Sequence, residues 1–378
     1  MAMITVPQLK CDKRILLIVV FLMVIGASLV GSAGSHFSGL RFDDVYFLLK
    51  RHLVRIVIAA FFLLLACHID YRILRKPAPF AFGVGVAMLV ALLIFGHKVR
   101  DTERWLTILQ VTFQPVEVAR LALVMFVAYW VARKGTALED FKRGFLPVAL
   151  AVVVVLGLIA AQPNYGSAFA TAAIAFLMLY LGGARIRHLL LLALAMGSAA
   201  AVRLMGVGYV RDRFLAFLNQ NEGLSDINWQ IRQSLIALGS GGIVGVGIGG
   251  SRQKLGWLPD AHTDFIFSIL GEEMGLLGTL AVSLAFLLLA LRALKISFNS
   301  GDRFGHMLAV GIGCSIFVYA LMNMLVATGL FPVTGLPLPF LSYGGSALVV
   351  NAFSVGILLN VSKKRPGQRP ARNGHSPA

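Results

Sequence analysis

The residues most able to do chemistry lie in Trp257-Leu-Pro-Asp-Ala-His-Thr-Asp-Phe-Ile-Phe-Ser-Ile-Leu-Gly-Glu-Glu273, where acids, a histidine and hydroxyls interrupt an apolar stretch. On a helix Asp264, Ser268 and Glu272 are spaced i, i+4, i+8 and share one stripe, with His262 and Thr263 beside the first. A carboxylate held there could take a proton from a hydroxyl or balance a cation. Ionisable groups in apolar spans are costly and usually functional, so the stripe is expected to face a bundle interior or a water-filled cavity. Helix capping by Thr263 or Asp264 is the plainer alternative, but it leaves Glu272 and Glu273 unexplained.

Other groups qualify less clearly. Glu117 and Arg120, at i and i+3, could form a functional pair or simply an ion pair that holds a helix end. Arg232, Arg252 and Lys254 could meet an anion, and Arg104 is a weaker candidate; a lipid-headgroup contact explains each of these cations equally well. The run Gly239–Gly250 contains a formal G-x-G-x-x-G, but no strand–helix unit surrounds it, so it is expected to be a tight, close-packed turn. Pro332–Ser346, with three prolines and three glycines and including Ser342 and Tyr343, is irregular backbone at membrane depth. Such backbone is tolerated only when buried in protein or lining a cavity, although by itself it could be a mere helix break.

The elements that must position these groups are membrane helices. Of the 378 residues 58% are hydrophobic and only 13% charged, against roughly 25% charged in an average soluble domain. Mean hydropathy is +0.82. The apolar residues come in blocks: Ile15–Ala33, Leu53–Cys67, Phe80–Gly96, Ala119–Ala132, Phe145–Ala161, Ser167–Gly183, Leu189–Met205, Phe265–Leu291, Met307–Thr328 and Gly344–Val361. A span needs about 20 apolar residues, so several blocks require snorkelling flanks or protein packing. The expected fold is all-α, a polytopic bundle of about ten transmembrane helices. Residues 1–14 would be a cytoplasmic N-terminus, 15–361 a single transmembrane domain with one large extracytoplasmic loop at about 206–264, and 362–378 a disordered basic cytoplasmic tail.

The net charge of +17 does not indicate nucleic acid, because the basic residues cluster close to the ends of alternate helices, as at Arg72–Lys76, Arg133–Arg143 and Lys363–Arg372. The positive-inside rule then puts both termini in the cytoplasm and requires an even helix count. Ile15–Ala33 is expected to be a retained first helix rather than a cleaved signal peptide. Cys11, Cys67 and Cys314 form neither a disulfide framework nor a metal-ligand spacing. With no soluble catalytic domain evident, any chemistry would occur in the bundle or on its outer loops.

Taken together, these segments resemble the SEDS family, which includes FtsW, RodA and SpoVE. Ser251-Arg-Gln-Lys-Leu-Gly-Trp-Leu-Pro-Asp-Ala-His-Thr-Asp-Phe-Ile-Phe267 followed by Gly271-Glu-Glu-Met-Gly275 is similar to the family's LPEAHTDFIF…GEE.G signature, with Asp260 for the usual Glu. Gly335–Ser346 is similar to GLPLPFISYGGSS, and Gln230–Gly242 to QSLIAIGSGG. Two family motifs depart: Gln114-Pro-Val-Glu117 lacks a Ser, and Asn164 replaces an acid, which an amide cannot replace as a base. Within the family the chain looks more like the division branch than the elongation branch.

The resemblance implies polymerisation of lipid II into glycan at the outer face of the inner membrane, at the division septum, with Asp264 as base or base-orienting carboxylate. Arg232, Arg252 and Lys254, with Arg104 and Arg120, would meet the pyrophosphate, and His262, Thr263, Glu117, Glu272, Ser342 and Tyr343 would line the substrate. A divalent cation, Mg or Mn, could bridge Asp264 and the pyrophosphate, although no ligand spacing demonstrates one. The implied partners are a class B penicillin-binding transpeptidase, other divisome proteins and membrane lipids. Three rival readings stay open: an elongation-type polymerase of the same family, a lipid II flippase, since broken helices and intramembrane charges suit a transporter, and a non-catalytic division scaffold.

Overall fold

A computed structural model describes residues 11–95, 97–99, 102–108, 111–206 and 226–363, with positions 215 and 217 besides. The expected N-terminal segment up to Lys10, most of 207–225 and the tail beyond Lys363 lie outside the described residues. The α-helices are α1 (Lys13–Ala33), α2 (Ser35–Phe42), α3 (Phe47–His68), α4 (Ala78–Phe95), α5 (Pro115–Lys134) and α6 (Leu146–Ala161). They continue with α7 (Tyr165–Leu181), α8 (Ile186–Gly206), α9 (Asp226–Ser240), α10 (Ile266–Phe298), α11 (Arg303–Ala327) and α12 (Gly345–Val361).

Six helices are long and apolar enough to cross a bilayer: α1, α4, α5, α6, α10 and α11. The helices of Tyr165–Leu181, Ile186–Val202 and Gly345–Val361 are apolar but shorter. The remaining expected block, Leu53–Cys67, is the apolar part of α3, whose first turns carry Lys50, Arg51 and Arg55. The apolar blocks therefore all become helices. Leu17 (68% exposed), Val57 (69%) and Leu194 (72%) point away from the protein, a surface suited to lipid rather than water.

One addition to the all-helical expectation is a small antiparallel ribbon between α4 and α5. Strands β1 (His97–Val99), β2 (Thr102–Ile108) and β3 (Val111–Phe113) pair in the order β1-β2-β3. The sequence analysis identified no strand there.

Helix α11 is the central post, packed by α10, α5 and α7, and α12 runs along α3. Close approach depends on small residues: a Cβ at Gly356 would strike the Leu63 backbone. At one end of the bundle Asp302 caps α11 by accepting from Gly305 N at 2.9 Å. It also accepts from the Tyr71 hydroxyl at 2.5 Å and faces Arg72 at 3.4 Å, which ties the α3–α4 connection to the start of α11.

At the other end α10 is broken. Gly275 has φ 64 and ψ −163, a conformation closed to side-chain-bearing residues. The glycine run fills the break with backbone hydrogen bonds: Val246 N and Gly247 N donate to Glu272 O and Glu273 O, both at 3.0 Å, and Leu276 N donates to Gly242 O at 2.9 Å. The polar groups freed by the kink are thereby paired, as a bilayer interior requires. The run is the close-packed turn its sequence suggests. Helix α9, within the long connection before it, is docked on the bundle: Ser234 is fully buried, with Oγ 2.6 Å from both Ser268 Oγ and Ala327 O.

Candidate active site

The turn Asp260–Asp264 is built from one carbonyl. Asp260, at φ 54, accepts from Thr263 N and Asp264 N, each at 3.0 Å. Phe265 keeps a non-helical conformation (φ −113, ψ 25), so α10 begins only at Ile266. Asp264 therefore precedes the helix, and the stripe drawn from Asp264 through Ser268 to Glu272 is not continuous. The turn does not join α10 because the residues at its two ends, Asp260 at φ 54 and Phe265 at φ −113 and ψ 25, both lie outside the helical region.

Three contacts from distant segments clamp the turn. Tyr343 N donates to His262 O (3.0 Å), Ser342 Oγ to Thr263 O (2.5 Å), and Asn323 Nδ2 to Asp264 O (2.8 Å). Asn323 also donates to Leu336 O at 2.8 Å, so the proline-rich loop and the turn hang from one amide. The Ser342 side chain thus acts on the backbone. The His262 ring lies 5.1 Å from Phe37 and 5.9 Å from Tyr343. Asp264 itself is half-buried.

Beside this turn opens a cavity of about 780 Å³, whose walls include His36, Arg41, Trp229, Lys254, Asp260 and His262. Of the expected cations only Lys254 lines it; Arg232 and Arg252 are not among its walls. Lys254 Nζ donates to Gly249 O (2.6 Å) and Ser32 Oγ (2.9 Å) and lies 3.6 Å from Glu273, whose carboxylate also accepts from Ser32 Oγ. Arg232 and Arg252 are exposed. Glu272 is 2% exposed and serves the loop before the site: its carboxylate accepts from Ser251 Oγ (2.5 Å), Arg252 N (2.9 Å) and Gln253 N (3.3 Å). Its oxygens hold protein.

The remaining candidates lie apart from the cavity walls. Glu117 and Arg120 form a buried ion pair at 2.7 Å, with Arg120 also donating to Asn351 Oδ1 (2.9 Å) and its guanidinium 3.9 Å from the centre of the Tyr319 ring. This is the helix-end pair of the plainer reading. Arg104 is on β2, and its side chain lies outside the described residues. Asn164 caps α7 through Ser167 N. Sequence reasoning missed Arg55 and His52 of α3. The Arg55 guanidinium lies 4.4 Å from the Tyr343 ring centre, and His52 is fully buried 6.1 Å from the same ring. The signal was present as three basic residues and a histidine at the opening of an apolar block. Among the described residues no group of three or more His, Cys, Asp or Glu could hold a metal ion.

The family model described as Cell cycle protein, covering FtsW, RodA and SpoVE, matches residues 13–366. The chain belongs to this family. A probable peptidoglycan glycosyltransferase FtsW of Trichlorobacter lovleyi is 39% identical over 353 residues, 93% of each chain. The stage V sporulation protein E of Bacillus subtilis is 36% identical over 364 residues, 95% of this chain and 99% of its own. Among solved structures, one from a study titled "Structural coordination of polymerization and crosslinking by a peptidoglycan synthase complex" superposes with a TM-score of 0.78 at 25% identity, covering 94% of this chain and 98% of that one. RodA of Thermus thermophilus gives 0.70 at 25% identity, covering 94% and 97%. Membership in the FtsW/RodA/SpoVE family, with this run of apolar helices, makes the chain a multi-pass membrane protein.

Proposed function

We propose that this protein is a peptidoglycan glycosyltransferase that joins lipid II units into glycan at the outer face of the cytoplasmic membrane during division. The observation that carries the reading is the clamped Asp260–Asp264 turn at the edge of a cavity with cationic and aromatic walls. Supporting it are the names of the relatives, several of which are probable peptidoglycan glycosyltransferases called FtsW.

In the reaction the 4-hydroxyl of one GlcNAc attacks the anomeric carbon of a MurNAc. A new C1–O4 bond forms as the bond from C1 to undecaprenyl pyrophosphate breaks. The hydroxyl proton passes to the Asp264 carboxylate, and the leaving pyrophosphate carries away the bonding electron pair. Fixing the backbone at His262, Thr263 and Asp264 from two distant segments presets the base, so little ordering is left for the chemical step. Exposed Arg252 and Arg232 can meet the pyrophosphate. Lys254, already bonded to protein, acts by shaping the cavity edge. The partner under this reading is a class B penicillin-binding transpeptidase that crosslinks the new strand.

The test is reconstitution of the purified chain with lipid II, with and without such a transpeptidase. Glycan on a gel is the expected result. Transfer of lipid II across the bilayer without polymer would replace this reading with transport.

A further inference from the structure

One indole lines the cavity and a second packs beside the first. Trp229, on α9, lines it and is 40% exposed; Trp257, just before the Asp260–Asp264 turn, is 56% exposed. Their ring centroids are 6.4 Å apart with planes at 36°. Trp229 Nε1–H donates to Trp257 O at 3.0 Å, which fixes the Trp229 ring and couples it to the chain entering the turn. Gln230, next to Trp229, also lines the cavity, as do Asp260 and His262.

We infer that Trp229 and Trp257 form a stacking platform for the sugar rings of a glycan chain, holding that chain at the cavity bordered by the Asp260–Asp264 turn. The inference rests on the glycan-synthesis reading above and deepens it. Large exposed indoles are costly in water, and a sugar ring has an apolar C–H face that covers an indole while its hydroxyls reach nearby amide and carboxylate groups. A ring already fixed by a hydrogen bond loses little freedom on binding. A membrane-interface anchor is the other use of exposed tryptophan. Here, however, the Trp229 N–H is spent on protein backbone rather than offered to headgroups, and the ring lines a cavity. The platform acts by positioning: a chain held after each addition stays in place for the next.

The probe is a lipid-free tetrasaccharide of alternating GlcNAc and MurNAc, titrated into the full-length chain in detergent and followed by tryptophan fluorescence and calorimetry. Trp229→Ala and Trp257→Ala should each weaken binding by about 3- to 10-fold, Trp229→Phe should recover most of it, and Trp130→Phe, whose indole bonds Gly144 O in another part of the bundle, should leave it unchanged. With lipid II, the two Ala variants should make shorter chains than wild type, and Trp229→Phe should restore most of the length. Wild-type affinity and wild-type chain lengths in both Ala variants would overturn the platform, as would a wild-type chain that does not bind the tetrasaccharide. Because the titration uses no lipid II, wild type that binds the tetrasaccharide but makes no glycan would sink the enzymatic reading and spare the platform.

Discussion

Asp264 and Glu272 look alike in the sequence, and the fold gives them opposite work. Glu272 is buried, with the donors of residues 251–253 directed at its carboxylate, whereas Asp264 is half-buried in a turn clamped through its backbone. Asp264→Asn and Asp264→Ala should therefore abolish glycan synthesis, a loss of about 10²–10⁴-fold, while the backbone clamp through Asn323, which neither change touches, still holds the turn. Near wild-type polymer from Asp264→Asn would remove it as the base. Glu272→Gln should behave in the reverse sense. Its amide N–H₂ would face Ser251 Oγ and backbone N–H groups, a mismatch worth about 1–3 kcal/mol, seen as a lower Tm and faster proteolysis near residues 251–253. The sequence showed which residue types were out of place in an apolar segment. It could not separate the acid that holds the loop from the acid of the clamped turn, because Glu272's partners are chosen by the packing of the glycine run against α10. Arg55 and His52 were overlooked for a similar reason: their link to the site passes through Tyr343, in a loop far away in the chain.

At the scale of elements, the apolar blocks were legible because a helix that faces lipid or other helices on all sides has only one composition. The kink of α10 was not, since a single glycine in a long apolar run predicts neither a break nor the segment that fills it. Gly245→Ala should be severely destabilising: its φ is 89, and an added Cβ would run into the backbone of Glu273 and Met274. Gly247→Ala, at φ 93 but facing open space, should cost only the backbone strain, about 1–3 kcal/mol. Equal Tm values for the two variants would show that the run does not brace the kink. The opposite end offers a separate test in Tyr71. Burial, with the hydrogen bond to Asp302, pushes its phenol up to about 12, from about 10 in an unfolded chain. A raised pKa means the contribution is fully present below about pH 10 and is lost as pH rises through about 12. Tyr71→Phe should thus lower Tm by the same amount at pH 6 and pH 9, and a loss that varies across that range would contradict the assignment.

For the whole molecule the deciding question is which end faces outward, because lipid II polymerisation belongs on one side only. The basic clusters at 72–76, 133–143 and 363–372 favour a cytoplasmic location for the ends of α3, α5 and α12. Between the connection that holds Lys142 and the segment that holds Leu255 lie three apolar helices, α6, α7 and α8. If each crosses once, the two positions are on opposite sides of the bilayer, and the cavity beside Asp260 shares the side of Leu255. Lys142 and Leu255 are both exposed, so each can be read with a thiol. In a chain with Cys11, Cys67 and Cys314 replaced by Ala, an impermeant maleimide added to intact cells should label Leu255→Cys and leave Lys142→Cys unlabelled until the membrane is opened. Labelling of both from outside would mean that one of the three helices does not cross. Labelling of Lys142→Cys alone would turn the bundle over and place Asp264 on the cytoplasmic side. No outer-face polymerisation could then be assigned to this site, however well the isolated protein performed in detergent.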